Sequence, residues 1–209
     1  MKDTVLIFDL DGTALDTNYL VEQSFRYAFH CFHPELVLSD EIILSMFGPT
    51  LEESFGRFLD EEDVPAAIAT YRDFNFKHHA DLAKTYPHEE AVLKELKKRG
   101  YPLAILTTKR QDAAEYGLSL FGIDHYFDLV IGMEQQHRYK PDPEGIYMIM
   151  DQLGVSKAVM IGDNVSDIMA GINAKQQGIG VAWSTKLDDI KAVSDIIIDS
   201  FNDLLTLFE

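Results

Sequence analysis

Two aspartates with one residue between them, Asp9 and Asp11, close the short apolar run Val5-Leu6-Ile7-Phe8 and are followed by Gly12 and Thr13. A β-branched and aromatic run of this length, stopped by Asp and Gly, reads as a buried strand that ends there. Residues two apart on a strand face the same side, so the two carboxylates point one way. Gly12 then lets the backbone turn sharply and expose N–H groups. Such a pair suits a metal-assisted reaction on an anion, one carboxylate attacking while the other moves protons. An ordinary acidic turn after a core strand would use the same residue types without any chemistry. In open α/β sheets, however, ligands bind at the carboxyl ends of the strands.

Three further groups fall at comparable places. Thr107-Thr108-Lys109 ends the apolar run Leu103–Leu106, and a hydroxyl beside backbone N–H groups at a strand end makes a phosphate cradle; threonine is also simply common in strands. In Lys140-Pro141-Asp142-Pro143, Asp142 reads as a helix N-cap and Pro143 as the first helical residue. That leaves Lys140, either a surface lysine or a cation that holds a phosphate and offsets a carboxylate cluster. The third group, Gly162-Asp163-Asn164-Val165-Ser166-Asp167, follows the strand-like Val159–Ile161. Asp163 stands at the strand end and Asp167 one helical turn later on the same face. Together with Asp9 they would offer oxygen ligands suited to Mg²⁺, a role compatible with Asp163 or Asn164 capping the helix 166–174. His30, His33, His78 and His79 lack the ordered ligand set of a zinc site and read as helix histidines.

The elements that must position these groups are of two kinds. Strand-length apolar runs recur at Val5–Phe8, Leu103–Leu106, Leu129–Ile131, Ala158–Ile161, Ile179–Ala182 and Ile196–Ile198. Helical patterns lie between the later ones, such as 88–99, which buries Val92, Leu93 and Leu96 and stops at Gly100. Strands alternating with helices predict βαβ units, hence an α/β fold with a Rossmann-like parallel sheet between helical layers. Residues 17–83 differ. Leu20, Val21, Phe25, Ala28, Phe29 and Phe32 follow the 3.6-residue period, Thr50 to Glu53 forms a capping box, and Pro65 fits the start of a third helix running to Leu82. The expected domains are a catalytic core of 1–16 and 84–209 and an inserted helical cap of 17–83. The cap leaves from the strand carboxyl edge, so it reads as a lid, with hinges near 14–17 and 83–87.

At 209 residues and 46% hydrophobic content the chain can bury a sizeable core. Its net charge of −17 argues against nucleic acid or an anionic membrane surface as partner. The single cysteine, Cys31, excludes an internal disulfide and a CxxC zinc site; it sits in a helical apolar pattern and reads as packing. No secretory signal and no apolar run of membrane-spanning length is present, so a soluble, cytoplasmic protein is expected.

Taken together, Asp9-Leu10-Asp11-Gly12-Thr13, Thr107, Lys140 and Gly162-Asp163 with Asp167 resemble the four motifs of the haloacid dehalogenase superfamily, in order and over the whole chain. The spacing is similar to the subgroup with a helical cap inserted after the first motif, which includes phosphoglycolate phosphatase and β-phosphoglucomutase. Outside the motifs, Gly48 to Phe55, Tyr71 to Asn75, His78-His79 and Gly180 to Trp183 resemble stretches of the bacterial inorganic pyrophosphatases of the superfamily (the PpaX type). This resemblance implies that Asp9 attacks phosphorus and Asp11 serves as general acid and then base. It assigns Thr107, Lys140 and the backbone around Leu10, Asp11 and Thr108 to the phosphoryl oxygens, with Gly12 also on the substrate. Gly48, Thr50 and Lys109 fall to the leaving group, with Arg57 and Lys77 as further cations. Mg²⁺ would be held by Asp9, the Asp11 carbonyl and Asp163, with Asp167 as a ligand or behind one. Family dehalogenases lack an aspartate at the position of Asp11, so dehalogenation is not expected. The implied substrate is a small phosphorylated compound, inorganic pyrophosphate ahead of phosphoglycolate, and the implied assembly a monomer or homodimer. A phosphomutase, or a binding module without turnover, is the competing reading.

Overall fold

In the structure, a computed structural model that describes residues 2–209, six parallel strands form one sheet in the order β3-β2-β1-β4-β5-β6. They are β1 (Thr4–Phe8), β2 (Leu103–Leu106), β3 (Leu129–Ile131), β4 (Lys157–Gly162), β5 (Gln177–Val181) and β6 (Ile197–Ile198). The inner strands read as unbroken apolar runs because helices cover both faces. Leu6, Phe8, Leu103, Ile105, Val159 and Ile161 pack on one side with Val92, Leu93 and Leu96. Val5, Ile7, Ala104, Leu106, Ala158 and Met160 pack on the other with Ile146 and Ile149. Alternate residues of one strand thus serve two cores, and the result is the three-layer α/β arrangement expected from the sequence.

The helices are α1 (Asn18–Phe32), α2 (Asp40–Leu44), α3 (Leu51–Gly56), α4 (Val64–Leu82), α5 (Glu89–Lys98), α6 (Gln111–Leu120), α7 (Glu144–Leu153), α8 (Val165–Asn173), α9 (Leu187–Lys191) and α10 (Asn202–Leu207). Two compact units result. One ends its first segment at Asp16 and resumes as Thr85–Glu209; the other is Thr17–Lys84. The second unit is helical and has its own core of Phe25, Phe29, Phe55, Ile68 and Tyr71. Its buried polar pair, Asn75 Nδ2 donating to Ser24 Oγ at 3.2 Å, joins α4 to α1. Thr50 caps α3 through the capping box with Glu53. Among the described residues no helix is long and apolar enough to cross a membrane.

Two expectations need correction. Cys31 is exposed, because the buried face of α1 runs through Leu20, Val21, Ser24, Phe25, Ala28 and Phe29, and a residue two places after Phe29 falls on the opposite side. Asp142 is not the N-cap of α7. That position is Pro143, and Asp142 Oδ1 accepts instead from the Glu144 N–H at 2.9 Å, two residues on.

The sequence of strands explains where the site must be. The chain builds outward from β1 through β2 to β3, then returns to place β4 on the other side of β1. The carboxyl ends of β1 and β4 therefore flank the topological switch point, the crevice at which open sheets bind ligands. Asp9 follows β1 and Asp163 follows β4.

Candidate active site

Register brings the two loops side by side. Phe8 pairs with Ile161, and the Asp9 N–H donates to the Ile161 carbonyl at 2.9 Å. Beyond that the chain leaves the sheet. Gly12 takes φ 78°, which its lack of a Cβ permits; its N–H donates to the Leu15 carbonyl at 2.8 Å. Gly12 thus provides the turn, and its N–H is committed within the loop instead of pointing at a ligand.

Lys140 is the hub of the site. Its side chain is only 4% exposed and its Nζ lies 2.8 Å from Asp9 Oδ1 and 2.7 Å from Asp167 Oδ1, while donating to the Leu106 carbonyl at 2.9 Å. Burial works against its charge, but Asp167 and Asp9 outweigh burial and raise its pKa. The surface-lysine reading of Lys140 is excluded by this position. Asp167 Oδ2 accepts from the Asn164 N–H at 2.9 Å, completing a capping box in which Asn164 is the N-cap of α8. Both oxygens of Asp167 are therefore engaged, one by a backbone donor and one by Lys140.

Asp9, Asp163 and Asp167 offer carboxylate oxygens that all lie within 4.8 Å of one another. Burial first, then the neighbouring carboxylates, push Asp9 up to about 7 despite Lys140 and raise Asp163 well above the usual range. One lysine facing three carboxylates, two of them buried, leaves two negative charges uncompensated when all are ionised, the charge of one divalent cation. An all-oxygen donor set of this kind fits a hard cation. Thr13, fully buried, donates to Asp163 Oδ1 at 3.4 Å.

The Asp11 carboxylate is turned elsewhere. Lys109 Nζ lies 2.9 Å from its Oδ1 and 3.2 Å from its Oδ2, and the Lys109 N–H donates to Thr107 Oγ1 at 3.1 Å. The structure thus brings together Asp9, Asp163, Asp167 and Lys140 as one cluster, and Asp11, Lys109 and Thr107 as a second on the adjoining loops, with half-buried Thr108 between the last two. Gly48 (φ 100°) and Thr50 belong to the helical unit, where the Thr50 hydroxyl accepts from the Glu53 N–H at 3.2 Å. Arg57, in the same unit, donates to Ser45 Oγ at 2.9 Å.

Several supporting residues escaped the sequence reading. Gln136, 6% exposed, donates to the Thr107 carbonyl at 2.9 Å. Tyr86 Oη and Trp183 Nε1 each donate to the Gly12 carbonyl at 3.1 Å. Ser184 Oγ donates to the Asp163 carbonyl at 2.5 Å. Their targets are backbone oxygens far away in the chain, which leave no local pattern to read; Trp183 figured only as the end of the stretch from Gly180.

A Cβ added at Gly162 would collide with Cβ, Cγ and Oδ2 of Asp167. Gly162→Ala must therefore displace the carboxylate that holds Lys140. The expected outcome is a loss of about 1–3 kcal/mol in denaturant unfolding, the usual cost of overpacking, together with a lower turnover. Wild-type unfolding and wild-type turnover together would show that Asp167 need not occupy this position.

Residues 6–181 match the haloacid dehalogenase-like hydrolase family. Pyrophosphatase PpaX of Listeria monocytogenes serotype 4b is 40% identical over 210 residues, 99% of this chain and 96% of that protein. Among solved structures, a haloacid dehalogenase-like family hydrolase from Streptococcus pneumoniae superposes with a TM-score of 0.85 at 26% identity, over all of both chains. A predicted phosphoglycolate phosphatase from Haemophilus somnus 129PT superposes with a TM-score of 0.89 at 22% identity, again over all of both chains; at that identity the likeness is one of fold.

Proposed function

The chain belongs to the haloacid dehalogenase-like hydrolases, and from that premise we propose that it hydrolyses inorganic pyrophosphate with Mg²⁺, through a phosphoryl group carried on Asp9. It is a phosphohydrolase by family, and hydrolases of this family generally use a divalent metal. The observation that carries the assignment of roles is the Lys140 hub, which holds Asp9 and Asp167 beside Asp163 at the switch point of the sheet. What favours pyrophosphate is the full-length likeness to proteins named pyrophosphatase PpaX.

In this reading Lys140 anchors Asp9 Oδ1 and leaves Oδ2 to attack phosphorus. As the Asp9–phosphorus bond forms, the bond to the leaving oxygen breaks, and Asp11 gives that oxygen a proton. Asp11 then takes a proton from a water molecule, whose oxygen attacks phosphorus and frees Asp9 with release of phosphate. Thr107 and Lys140 hold phosphoryl oxygens, and Lys109 both holds Asp11 and supplies positive charge next to the leaving group. Mg²⁺ would be held by the Asp9 carboxylate, the Asp11 carbonyl and Asp163, and when bound would supply positive charge for the phosphoryl oxygens. Asp167, with both oxygens engaged, is assigned to the shell behind it, orienting Lys140. A strongly acidic chain needs such local cations to receive an anionic substrate. A cytoplasmic setting is part of this proposal.

The test is phosphate release across pyrophosphate, 2-phosphoglycolate and several sugar phosphates, with and without EDTA. The expected result is a kcat/KM for pyrophosphate at least about tenfold above the others, a difference of roughly 1.4 kcal/mol in transition-state binding, and no turnover in EDTA. Preference for 2-phosphoglycolate would keep the reaction and replace the substrate. Interconversion of sugar phosphates without phosphate release would replace hydrolysis by phosphoryl transfer.

A further inference from the structure

The proposed chemistry needs the Asp9–Thr13 loop and the Asp163–Asn164 loop at a fixed separation, and the pairing of β1 with β4 secures it only up to the Asp9 N–H bond to Ile161. Past that point each loop is irregular. Two adjacent residues after β5 span them. Trp183 Nε1 donates to the carbonyl of Gly12 in the first loop, and Ser184 Oγ donates to the carbonyl of Asp163 in the second. We propose that Trp183 and Ser184 are positioning residues that clamp the two loops together, and so set the distance between the nucleophile and the carboxylate Asp163; this rests on the assignment of Asp9 and Asp163 to one divalent cation.

Each half of the clamp is itself held. The Ser184 hydroxyl accepts from the Lys186 N–H at 2.9 Å, so its one hydrogen is directed at Asp163, and its residue is only 9% exposed. The Ser184 N–H donates to the Val181 carbonyl at 3.3 Å, which ties the clamp to the end of β5. The Trp183 ring is stacked on Phe201 at 5.5 Å and 18°, and meets Tyr86 at 5.0 Å. Tyr86 Oη donates to the same Gly12 carbonyl, so that oxygen accepts from two rigid aromatic groups. Rigid partners matter because a carboxylate pair misplaced by about 1 Å can lose on the order of a hundredfold in rate. Outer partners of ligand loops typically change metal affinity by about 10–100-fold.

The experiment reads Mn²⁺ alone binding to the protein by electron paramagnetic resonance, beside kcat, KM and thermal unfolding. Ser184→Ala is expected to weaken Mn²⁺ binding by about 10-fold, the lower end of outer-partner effects. Ser184→Thr should restore it, because the hydroxyl is retained. Trp183→Phe keeps an aromatic ring and removes the donor; it should lower kcat about tenfold with KM within about twofold, the signature of an interaction felt in the transition state. Mn²⁺ affinity and kcat within about twofold of wild type in both variants would overturn the clamp, as would losses that track Tm alone and are not rescued by threonine. If Ser184→Ala fails to fold, Ser184→Thr and Trp183→Phe still decide between these outcomes. Wild-type protein that binds no Mn²⁺, or binds it undiminished as Asp163→Asn, overturns the metal assignment and the clamp with it; a metal that binds wild type and both clamp variants alike overturns the clamp alone.

Discussion

Asp9→Asn is expected to remove at least about a thousandfold of turnover while leaving a folded protein, because an amide cannot serve as the covalent nucleophile. The substitution is nearly isosteric, and its carbonyl oxygen can still accept from Lys140. It also removes a burial penalty. Asp9 is pushed up to about 7 in the fold, mainly by burial, against an ordinary value of 3.8. A carboxyl raised in this way carries no penalty below about pH 4; the penalty builds between about pH 4 and 7, where the unfolded chain has released a proton that the fold retains, and levels off above 7. Stability of the metal-free variant relative to metal-free wild type should therefore improve from pH 4 to pH 8. The measurements are phosphate release, acid-quenched mass spectrometry for a phosphoryl adduct on the peptide carrying Asp9, and urea unfolding at both pH values. A near wild-type rate in the variant would sink the nucleophile assignment.

Lys140→Met should cost both stability and rate. It leaves Asp9 and Asp167 facing each other in a buried site with their shared cation gone. Breaking a buried pair by deleting one partner typically costs about 3–5 kcal/mol, and deleting a donor to the transferring group costs about 10²–10³ in kcat. The sign of the pH dependence follows from what remains. Lys140 holds the pKa values of Asp9 and Asp163 down, so in its absence these two carboxyls titrate higher and stay protonated at low pH. The stability deficit should be small at pH 4 and larger at pH 8. Lys140→Arg is not expected to rescue, since a planar guanidinium cannot reproduce three donors converging on Asp9 Oδ1, Asp167 Oδ1 and the Leu106 carbonyl. Unfolding of Lys140→Met that matches wild type at pH 8 would show that the buried cation is dispensable.

Both expectations turn on residues already visible in the sequence, and the reason is physical. Strands buried on two faces must be apolar at successive positions, so Val5–Phe8 and Leu103–Leu106 announce themselves, and their ends mark where ligand chemistry can sit. The capping box at Thr50 is a local hydrogen-bond exchange over four residues and was legible for the same reason. Cys31 was misread because an apolar pattern in α1 does not say which residues beside the stripe are covered. Asp142 was displaced by one residue because proline fits either of two adjacent positions at a helix start.

The order of α/β elements, the helical insertion and the residues that cluster around Lys140 are thus legible along the chain, since each is written in local period or motif spacing. Tertiary structure alone decided how Lys140 divides between Asp9 and Asp167, that Lys109 turns to Asp11, and that Tyr86, Trp183 and Ser184 hold the loops. These last bonds join residues 74, 171 and 21 positions apart to backbone carbonyls. A carbonyl is the same in every residue, so no side-chain pattern along the chain can reveal which one a distant donor will find.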